Sequence, residues 1–164
     1  MKKIVLSSNN CWNIFNFRLA LVKKLLEKNY AVYIISKKDD YSDDLIRIGC
    51  KLFFLNINRN SINIYSEVIL LIKYIYLLLK IKPDFYFAFT IKPNIYGSLA
   101  CRLLKIKYVN NITGLGSPFI ENSYTKKILV LLYKIALKKS IKILFHNKDD
   151  KKLFISNKIS NLSN

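Results

Sequence analysis

Six short runs rich in β-branched and aromatic residues alternate with segments of helical periodicity along this 164-residue chain. The predicted strands are Lys2–Ser7, Ala31–Ser36, Lys51–Leu55, Asp84–Phe89, Lys107–Ile112 and Ile141–Phe145. The predicted helices are Ile14–Lys28, Ser42–Ile48, Tyr65–Lys82, Pro93–Lys105, Tyr124–Lys139 and Lys148–Ile155. Such alternation is typical of parallel strands joined by right-handed crossovers. The pattern predicts an α/β fold, a Rossmann-like doubly wound parallel sheet of about six strands with helices on both faces.

The length of the chain suits one domain with a sizeable core and is short for two. We expect residues 1–156 to form one Rossmann-like domain and residues 157–164 to be a polar tail. Hydrophobic residues make up 52% of the chain, which excludes a disordered protein despite a net charge of +18. The charge comes mostly from lysine and has two interpretations, a compositional bias or an attraction to anionic lipid or polyphosphate.

The cysteines and the apolar runs bear on the cellular compartment. Three widely spaced cysteines include no C-x-x-C pair: Cys11, Cys50 and Cys101. They indicate neither a disulfide framework nor a zinc site, and they fit a reducing cytoplasm. The apolar start of the chain ends at Ser7, too early for a secretory signal. Val68–Ile81 is shorter than the roughly 20 residues of a membrane span, so we expect a buried or half-buried helix there.

Unusual polar segments follow four of the predicted strands: Ser7–Asn13, Thr90–Asn94, Asn111–Gly116 and His146–Asp150. In doubly wound folds, ligands bind beyond the carboxyl ends of the strands, near the switch in strand order. We therefore expect these corners to converge along one rim and form half of a binding cleft. The first segment contains no glycine and cannot make a G-x-G-x-x-G dinucleotide turn, which argues against a nicotinamide-dependent enzyme.

The first polar segment has side chains that suit a sugar. It combines short hydrogen-bonding side chains with one indole ring: Ser8, Asn9, Asn10, Trp12 and Asn13. These groups could bind sugar hydroxyls and the flat face of a pyranose, or the polar ones could cap the following helix. Arg18 lies farther along that helix, where it would either reach a phosphate or be solvated.

Two further corners have features of anion sites. Lys92 precedes Pro93, a residue suited to a helix start, and would pair with a phosphate or lie at the surface. Gly114 and Gly116 permit either a main-chain anion nest or an ordinary tight loop. His146 is the only histidine, and a lone histidine at a strand end is more often structural than catalytic.

The helix predicted near the end of the chain is strongly basic. It carries five lysines without an acidic residue: Lys126, Lys127, Lys134, Lys138 and Lys139. At helical spacing, several share one stripe with Leu131. This stripe would dock on an anionic membrane surface, or it is simply a solvated face opposite the core face.

Several segments together carry a resemblance to a known family. They are S-S-N-N-C-W-N-I-F-N-F-R, D-D-Y-S-D-D-L, T-I-K-P-N-I-Y-G-S-L-A, N-I-T-G-L-G and F-H-N-K-D-D, in chain order between residues 7 and 150. In this order they resemble the first domain of bacterial glycosyltransferases of family 4, which build capsule, O-antigen (lipopolysaccharide) and other lipid-linked glycans.

The resemblance implies the N-terminal half of a GT-B fold, with two Rossmann-like domains facing across a cleft. The first domain would bind a lipid-linked or polysaccharide acceptor, and the second would bind the nucleotide sugar. Transfer would retain the anomeric configuration, with the nucleotide sugar as co-substrate and no metal or other cofactor. We expect a cytoplasmic protein, peripheral on the inner face of the plasma membrane. The predicted acceptor-binding residues are Ser8, Asn9, Asn10, Trp12, Arg18, Thr90, Lys92, Asn94, Thr113, Gly114, Gly116 and Asn147.

Two departures from the family pattern limit what the resemblance implies. No histidine follows the fourth strand, so no catalytic residue is assigned, and no E-x7-E donor-site pair is present. The expectation is that the C-terminal donor domain lies in a longer or separate chain and that these 164 residues alone are an inactive fragment. The alternative is a non-catalytic α/β module that binds an anionic lipid or polymer. A nucleic-acid partner is not expected, because no helix-turn-helix, RNP or zinc pattern appears.

Overall fold

A computed structural model of the chain describes residues 1–57, 63–114 and 124–159, without the side chains of residues 124 and 125. The strands are β1 Lys3–Asn10, β2 Ala31–Lys37, β3 Lys51–Phe54, β4 Phe85–Phe89, β5 Lys107–Ile112 and β6 Lys142–Phe145. The helices are α1 Cys11–Glu27, α2 Ser42–Arg47, α3 Ile64–Ile81, α4 Ser98–Leu103, α5 Tyr124–Leu137 and α6 Lys148–Ser156. A single π-helical turn, Pro93–Gly97, leads into α4.

The six strands form one parallel sheet in the order β3-β2-β1-β4-β5-β6. The order reverses between β1 and β4, which is the arrangement of a doubly wound dinucleotide-type fold. The predicted fold class is therefore confirmed. Such folds bind ligands beyond the carboxyl ends of the two strands at this reversal, which here are β1 and β4.

The core lies on both faces of the sheet because successive side chains of the strands alternate between them. Val5 of β1 packs in a cluster under α3 and α4, together with Tyr86 and Tyr108. Leu6, its neighbour, packs in the opposite cluster under α1 and α2. A third cluster, around Phe154, joins α5 and α6 to the end of the sheet.

Helix ends follow the sequence signals in most places. The helix α3 ends at Ile81, and its C-cap residue Lys82 has a φ of 51°, in the left-handed region, with Pro83 next. The side chain of Asn63 accepts a hydrogen bond from the Tyr65 backbone N–H at 2.9 Å and caps the other end of α3.

The π-helical turn differs from the α-helix predicted to begin at Pro93. Tyr86 on the underlying strand donates a hydrogen bond from its hydroxyl to the Pro93 carbonyl at 3.1 Å. A Cβ atom at Gly97 would overlap this hydroxyl, so only glycine leaves room for it. The inserted phenol occupies the helix wall and widens one turn, which is a recognised cause of π-bulges.

Candidate functional site

A cleft of about 830 Å³ opens at the carboxyl edge of the sheet, at the point where the strand order reverses. It is lined by Asn9, Asn10, Trp12, Asn13, Phe17, Arg18, Lys37, Asn56, Ile57, Thr90, Ile91, Thr113, Gly114 and His146. Residues that follow β1, β4, β5 and β6 therefore meet in one place. The predicted convergence of these corners is present in the structure.

The β1 side of the cleft has no loop. The strand runs directly into α1, so the expectation of a polar loop at Ser7–Asn13 is wrong. Asn10 makes the transition possible, because it keeps an extended backbone while its side-chain oxygen accepts from the Asn13 N–H at 3.2 Å. Asn10 thus caps the helix, as one of the two interpretations predicted, and it also lines the cleft.

Thr90 joins the two central strands at the floor of the cleft. Its hydroxyl accepts a hydrogen bond from the Asn9 backbone N–H at 3.1 Å. Its φ of 67° lies in the left-handed region, which is costly for a β-branched residue. The other described non-glycine residues with positive φ all follow helix ends. Backbone strain at Thr90 is therefore stored in the lining of the cleft.

Asn94 holds the Thr90 backbone in its conformation through a side-chain hydrogen bond. Its side-chain amide donates to the Thr90 carbonyl at 2.8 Å and to the Asn111 carbonyl at 3.0 Å. Asn110, fully buried in β5, donates in turn to the Asn94 side-chain oxygen at 2.8 Å and to the Ser98 hydroxyl at 2.7 Å. This buried network couples the corner after β4 to β5.

Three buried polar atoms on cleft-lining residues have no hydrogen-bond partner within the described part of the chain. They are the side-chain oxygens of Asn9 and Asn13 and the Nε of Arg18. Buried polar atoms are normally paired, and leaving one unpaired costs about 1–3 kcal/mol. Two amide acceptors and one cationic donor are the complement of a ligand that carries hydroxyl or amide protons and an anionic group.

The electrostatics of the cleft are set by Arg18. Its guanidinium lies 4.8 Å from the centroid of the Phe89 ring and donates to the Phe17 carbonyl at 2.8 Å. Burial lowers the pKa of Arg18 from its ordinary value. Lys37 is a second cation in the lining, and none of the described lining residues is a carboxylate. A charged guanidinium without a carboxylate partner in the cleft favours an anionic ligand.

His146 contacts Arg18 across the cleft. The distance from Arg18 Nη2 to His146 Nε2 is 3.1 Å. Because arginine can only donate, Nε2 must accept, and we assign the imidazole proton to Nδ1 in this arrangement. His146 therefore orients the Arg18 guanidinium.

Two exposed aromatic rings flank the mouth of the cleft. Trp12 is 42% exposed, and Phe17 is 57% exposed. Their ring centroids are 5.3 Å apart with an interplanar angle of 83°, an edge-to-face pair. Exposed aromatic faces beside polar groups suit a ligand that has an apolar face and a polar edge.

Several predicted site residues lie outside this lining. Lys92 is buried and forms an ion pair with Glu67, so its ammonium group is not available to bind a phosphate. Ser8 and Asn94 are also buried, the second in the network described above. The side chain of Asn147 caps α6 by accepting from the Asp150 N–H at 2.7 Å. The prediction at Gly116 falls outside the described residues.

Sequence reasoning missed four residues that line the cleft: Phe17, Lys37, Asn56 and Ile57. Ile91 belongs to the predicted Thr90–Asn94 corner, and His146, for which a structural role was favoured, also lines the cleft. Lys37 ends β2, and Asn56 follows β3 closely. The same carboxyl-edge rule that identified the other corners would have indicated both. Phe17 carried no such signal, because its position on a helix face depends on where α1 begins.

The lysines predicted to face a membrane divide into two groups. Lys127, Lys138 and Lys139 are exposed, whereas Lys126 and Lys134 are half-buried. Among the described residues, no helix has both the length and the apolar composition needed to cross a membrane.

Comparison with known proteins agrees with this architecture. The model of the glycosyl transferase 4-like family matches residues 3–147. The N,N'-diacetylbacillosaminyl-diphospho-undecaprenol alpha-1,3-N-acetylgalactosaminyltransferase of Campylobacter jejuni is 27% identical over 146 residues, which are 84% of this chain and 38% of that protein. The present chain thus spans well under half the length of this relative.

Two solved structures illustrate the shared fold. Anabaena HepE in complex with UDP and glucose superposes with a TM-score of 0.65 at 16% identity, over 96% of this chain and 41% of that one. The UDP-GlcNAc 2-epimerase of Methanocaldococcus jannaschii gives a TM-score of 0.61 at 20% identity, over 98% of this chain and 43% of that one. At these identities the superpositions establish the fold alone, and they agree with the predicted N-terminal half of a GT-B fold. With the family model matching most of its length, the chain belongs to the glycosyl transferase 4-like family.

Proposed function

We propose that this chain is the acceptor-binding half of a glycosyltransferase. The complete enzyme would transfer a sugar from a nucleotide sugar to a lipid-diphosphate-linked acceptor during the assembly of a cell-surface glycan such as capsule or lipopolysaccharide. The observation that carries the proposal is the cleft, whose described lining combines two amide oxygens without a hydrogen-bond partner and a guanidinium without a carboxylate partner.

The polar groups of the cleft match the parts of such an acceptor. The side-chain oxygens of Asn9 and Asn13 accept hydrogen bonds from sugar hydroxyls or an acetamido N–H, and Trp12 covers a sugar face. Arg18 and Lys37 bind the diphosphate. The Campylobacter relative, by its name, acts on a sugar linked through diphosphate to undecaprenol, and this supports the choice of acceptor.

The donor side of the reaction is proposed to come from a second domain, in the same or a separate polypeptide. The relative is more than twice as long as the stretch it shares with this chain, and UDP is bound in the solved structure of HepE. Following the family, transfer retains configuration and requires no protein-bound metal. Since half the cleft would be missing, the 164 residues alone are proposed to have no turnover.

The sole tryptophan provides a direct test, because Trp12 lies in the cleft and reports binding without a label. The purified chain is titrated with a short-chain prenyl-diphospho-N-acetylhexosamine, and Trp12 fluorescence is followed. Saturable quenching is expected, with weaker binding of the unglycosylated prenyl diphosphate and of a UDP-sugar.

Two outcomes contradict the proposal. Equal affinity for the glycosylated and unglycosylated diphosphates would favour the alternative, a non-catalytic module that binds an anionic lipid. Hydrolysis or transfer of the UDP-sugar by the chain alone would show that the donor side is already present. An Asn13→Leu variant should lose the preference for the glycosylated ligand and retain diphosphate binding, because only the sugar contact is removed.

A further inference from the structure

The outer face of α3 exposes a long apolar stripe. Its seven large hydrophobic side chains are between 44% and 81% exposed: Ile64, Tyr65, Val68, Ile69, Ile72, Tyr76 and Leu79. At 100° per residue they fall within an arc of roughly 140° along the whole helix. Scattered apolar residues are normal at a protein surface, but a continuous stripe of this length marks an interaction surface.

The opposite face of α3 is apolar as well. Leu70, Tyr74, Leu77, Leu78 and Ile81 are buried against the sheet. A helix that is apolar on both faces is normally enclosed on both sides. The outer stripe of α3 is therefore an exposed apolar face of the kind that another apolar surface normally covers.

The surroundings of the stripe are basic. Lys73 and Lys80 border it on α3, and Lys105 follows α4. On the same side of the sheet, α5 adds Leu131 beside Lys127 and Lys138, all exposed. In the described parts of α3, α4 and α5 the only acidic residue is Glu67, which is enclosed in its ion pair with Lys92.

The other side of the sheet is mixed in charge. There α1 and α2 carry three acidic residues, Glu27, Asp43 and Asp44, among four basic ones, Arg18, Lys23, Lys24 and Arg47. The described parts of α3, α4 and α5 carry six basic residues and the one enclosed Glu67. An anionic surface would therefore be attracted more strongly to the side of the apolar stripe.

We propose that the outer face of α3, α4 and α5 docks on an anionic membrane surface, with the α3 stripe inserted among the lipids and the lysines at the headgroups. The inference goes beyond the proposed function, which assigns nothing to α3, and it does not depend on transfer. A second copy of the chain is disfavoured as the occupant, since two surfaces rich in lysine repel one another. An anionic bilayer supplies both an apolar phase and negative charge.

The position of the stripe fits a substrate that is anchored in a membrane. The segment between β3 and α3 includes Asn56 and Ile57, which line the cleft. Ile64 and Tyr65, at the adjoining end of α3, are the most exposed members of the stripe, at 79% and 81%. Insertion of this helix would therefore bring the bilayer beside the mouth of the cleft.

The test is sedimentation with vesicles of phosphatidylcholine alone and with phosphatidylglycerol added. The chain should bind the anionic vesicles and bind the neutral ones far more weakly. An Ile72→Gln variant should bind anionic vesicles about five- to tenfold more weakly, because apolar area no longer enters the bilayer. The matched control is Ile46→Gln on α2, an isoleucine on the other side of the sheet that is 49% exposed against 58% for Ile72, and this variant should bind like wild type.

A charge reversal separates the electrostatic contribution. Lys73→Glu should weaken binding to anionic vesicles by about tenfold or more and leave neutral vesicles unaffected. Lys23→Glu, on α1, is its control and should have a much smaller effect. Equal binding of wild type to both vesicle types would overturn the proposal, as would equal effects of Ile72→Gln and Ile46→Gln.

Two further measurements separate membrane binding from self-association and from acceptor binding. Loss of self-association in Ile72→Gln by sedimentation velocity, without an effect on vesicle binding, would identify a second copy as the occupant and overturn the membrane proposal. Trp12 quenching by a water-soluble acceptor analogue should be unchanged in all α3 variants. Failure of the acceptor proposal and failure of the membrane proposal are therefore distinguishable.

Discussion

Gly97→Ala is the substitution whose cost can be worked out most directly from the structure. A Cβ atom at this position would overlap the hydroxyl and Cζ of Tyr86 and would lie 3.1 Å from its Cε1. Tyr86 is fully buried and packs edge-to-face on Tyr74 at 6.4 Å between centroids. The phenol therefore has no open space to enter, and the backbone or the ring must shift.

Three contributions set the magnitude. Overpacking a rigid core costs about 1–3 kcal/mol. Loss of the hydrogen bond from Tyr86 to the Pro93 carbonyl leaves buried polar groups unpaired and costs about 1–3 kcal/mol more. The better helix propensity of alanine returns about 1 kcal/mol. The expected loss in the free energy of unfolding is about 1–5 kcal/mol.

A double-mutant cycle measured by urea denaturation tests this reasoning. In a Tyr86→Leu background the overlapping atoms are gone, so Gly97→Ala should cost little or stabilise the protein slightly. The coupling free energy between the two positions should be about 2 kcal/mol or more. An equal cost of Gly97→Ala in both backgrounds would refute the assignment of the π-helical turn to the Tyr86 hydroxyl.

Three other predictions address the cleft and the core. Arg18→Gln should weaken binding of the prenyl-diphospho-sugar in the Trp12 titration by about 10- to 100-fold, since a hydrogen bond to a charged partner contributes about 1.5–3 kcal/mol; the control Arg47→Gln should have no effect. Lys92→Met should lower the free energy of unfolding by about 3–5 kcal/mol because Glu67 stays buried without its partner, and adding Glu67→Leu should restore much of it; no restoration would contradict this account. Burial raises the pKa of Tyr108 to about 12, and the pKa values of other buried tyrosines are raised further. The stability due to these phenols is complete below the unfolded-state pKa of about 10 and falls as the pH rises from about 10 to 12, so the tyrosinate absorbance of these buried phenols should appear together with unfolding.

Much of the fold could be predicted from local patterns. Strand–helix alternation predicted the parallel sheet, and the helix predicted over Tyr65–Lys82 matches α3 to within one residue at each end. The carboxyl-edge rule then indicated which corners meet, although they are far apart along the chain. These features depend on residues whose local preference agrees with the final structure.

The roles of individual polar residues were harder to predict, because they depend on distant partners. Lys92 is 25 residues from Glu67, and no local pattern indicates that their helices bring them together in the interior. Asn94 is similar, since its partners lie on β5. The loop predicted at Ser7–Asn13 was wrong because asparagine and serine favour loops, strand ends and helix caps alike.

The outer face of α3 shows a limit of periodicity. The prediction of a buried or half-buried helix at Val68–Ile81 describes one side of α3 correctly. In a helix that is apolar on both faces, the sequence shows no difference in hydrophobicity that would indicate which face packs on the sheet. Only the packed structure separates the buried set from the exposed stripe.

The central claim is that one cleft, at the switch between β1 and β4, binds the sugar-bearing acceptor. The chain has a single tryptophan and a single histidine, and both line this cleft. Their ring resonances in an NMR titration with the prenyl-diphospho-N-acetylhexosamine are therefore unique reporters from two sides of the site. The account predicts that the Trp12 and His146 signals shift together with one dissociation constant; saturable binding that moves neither signal would contradict it.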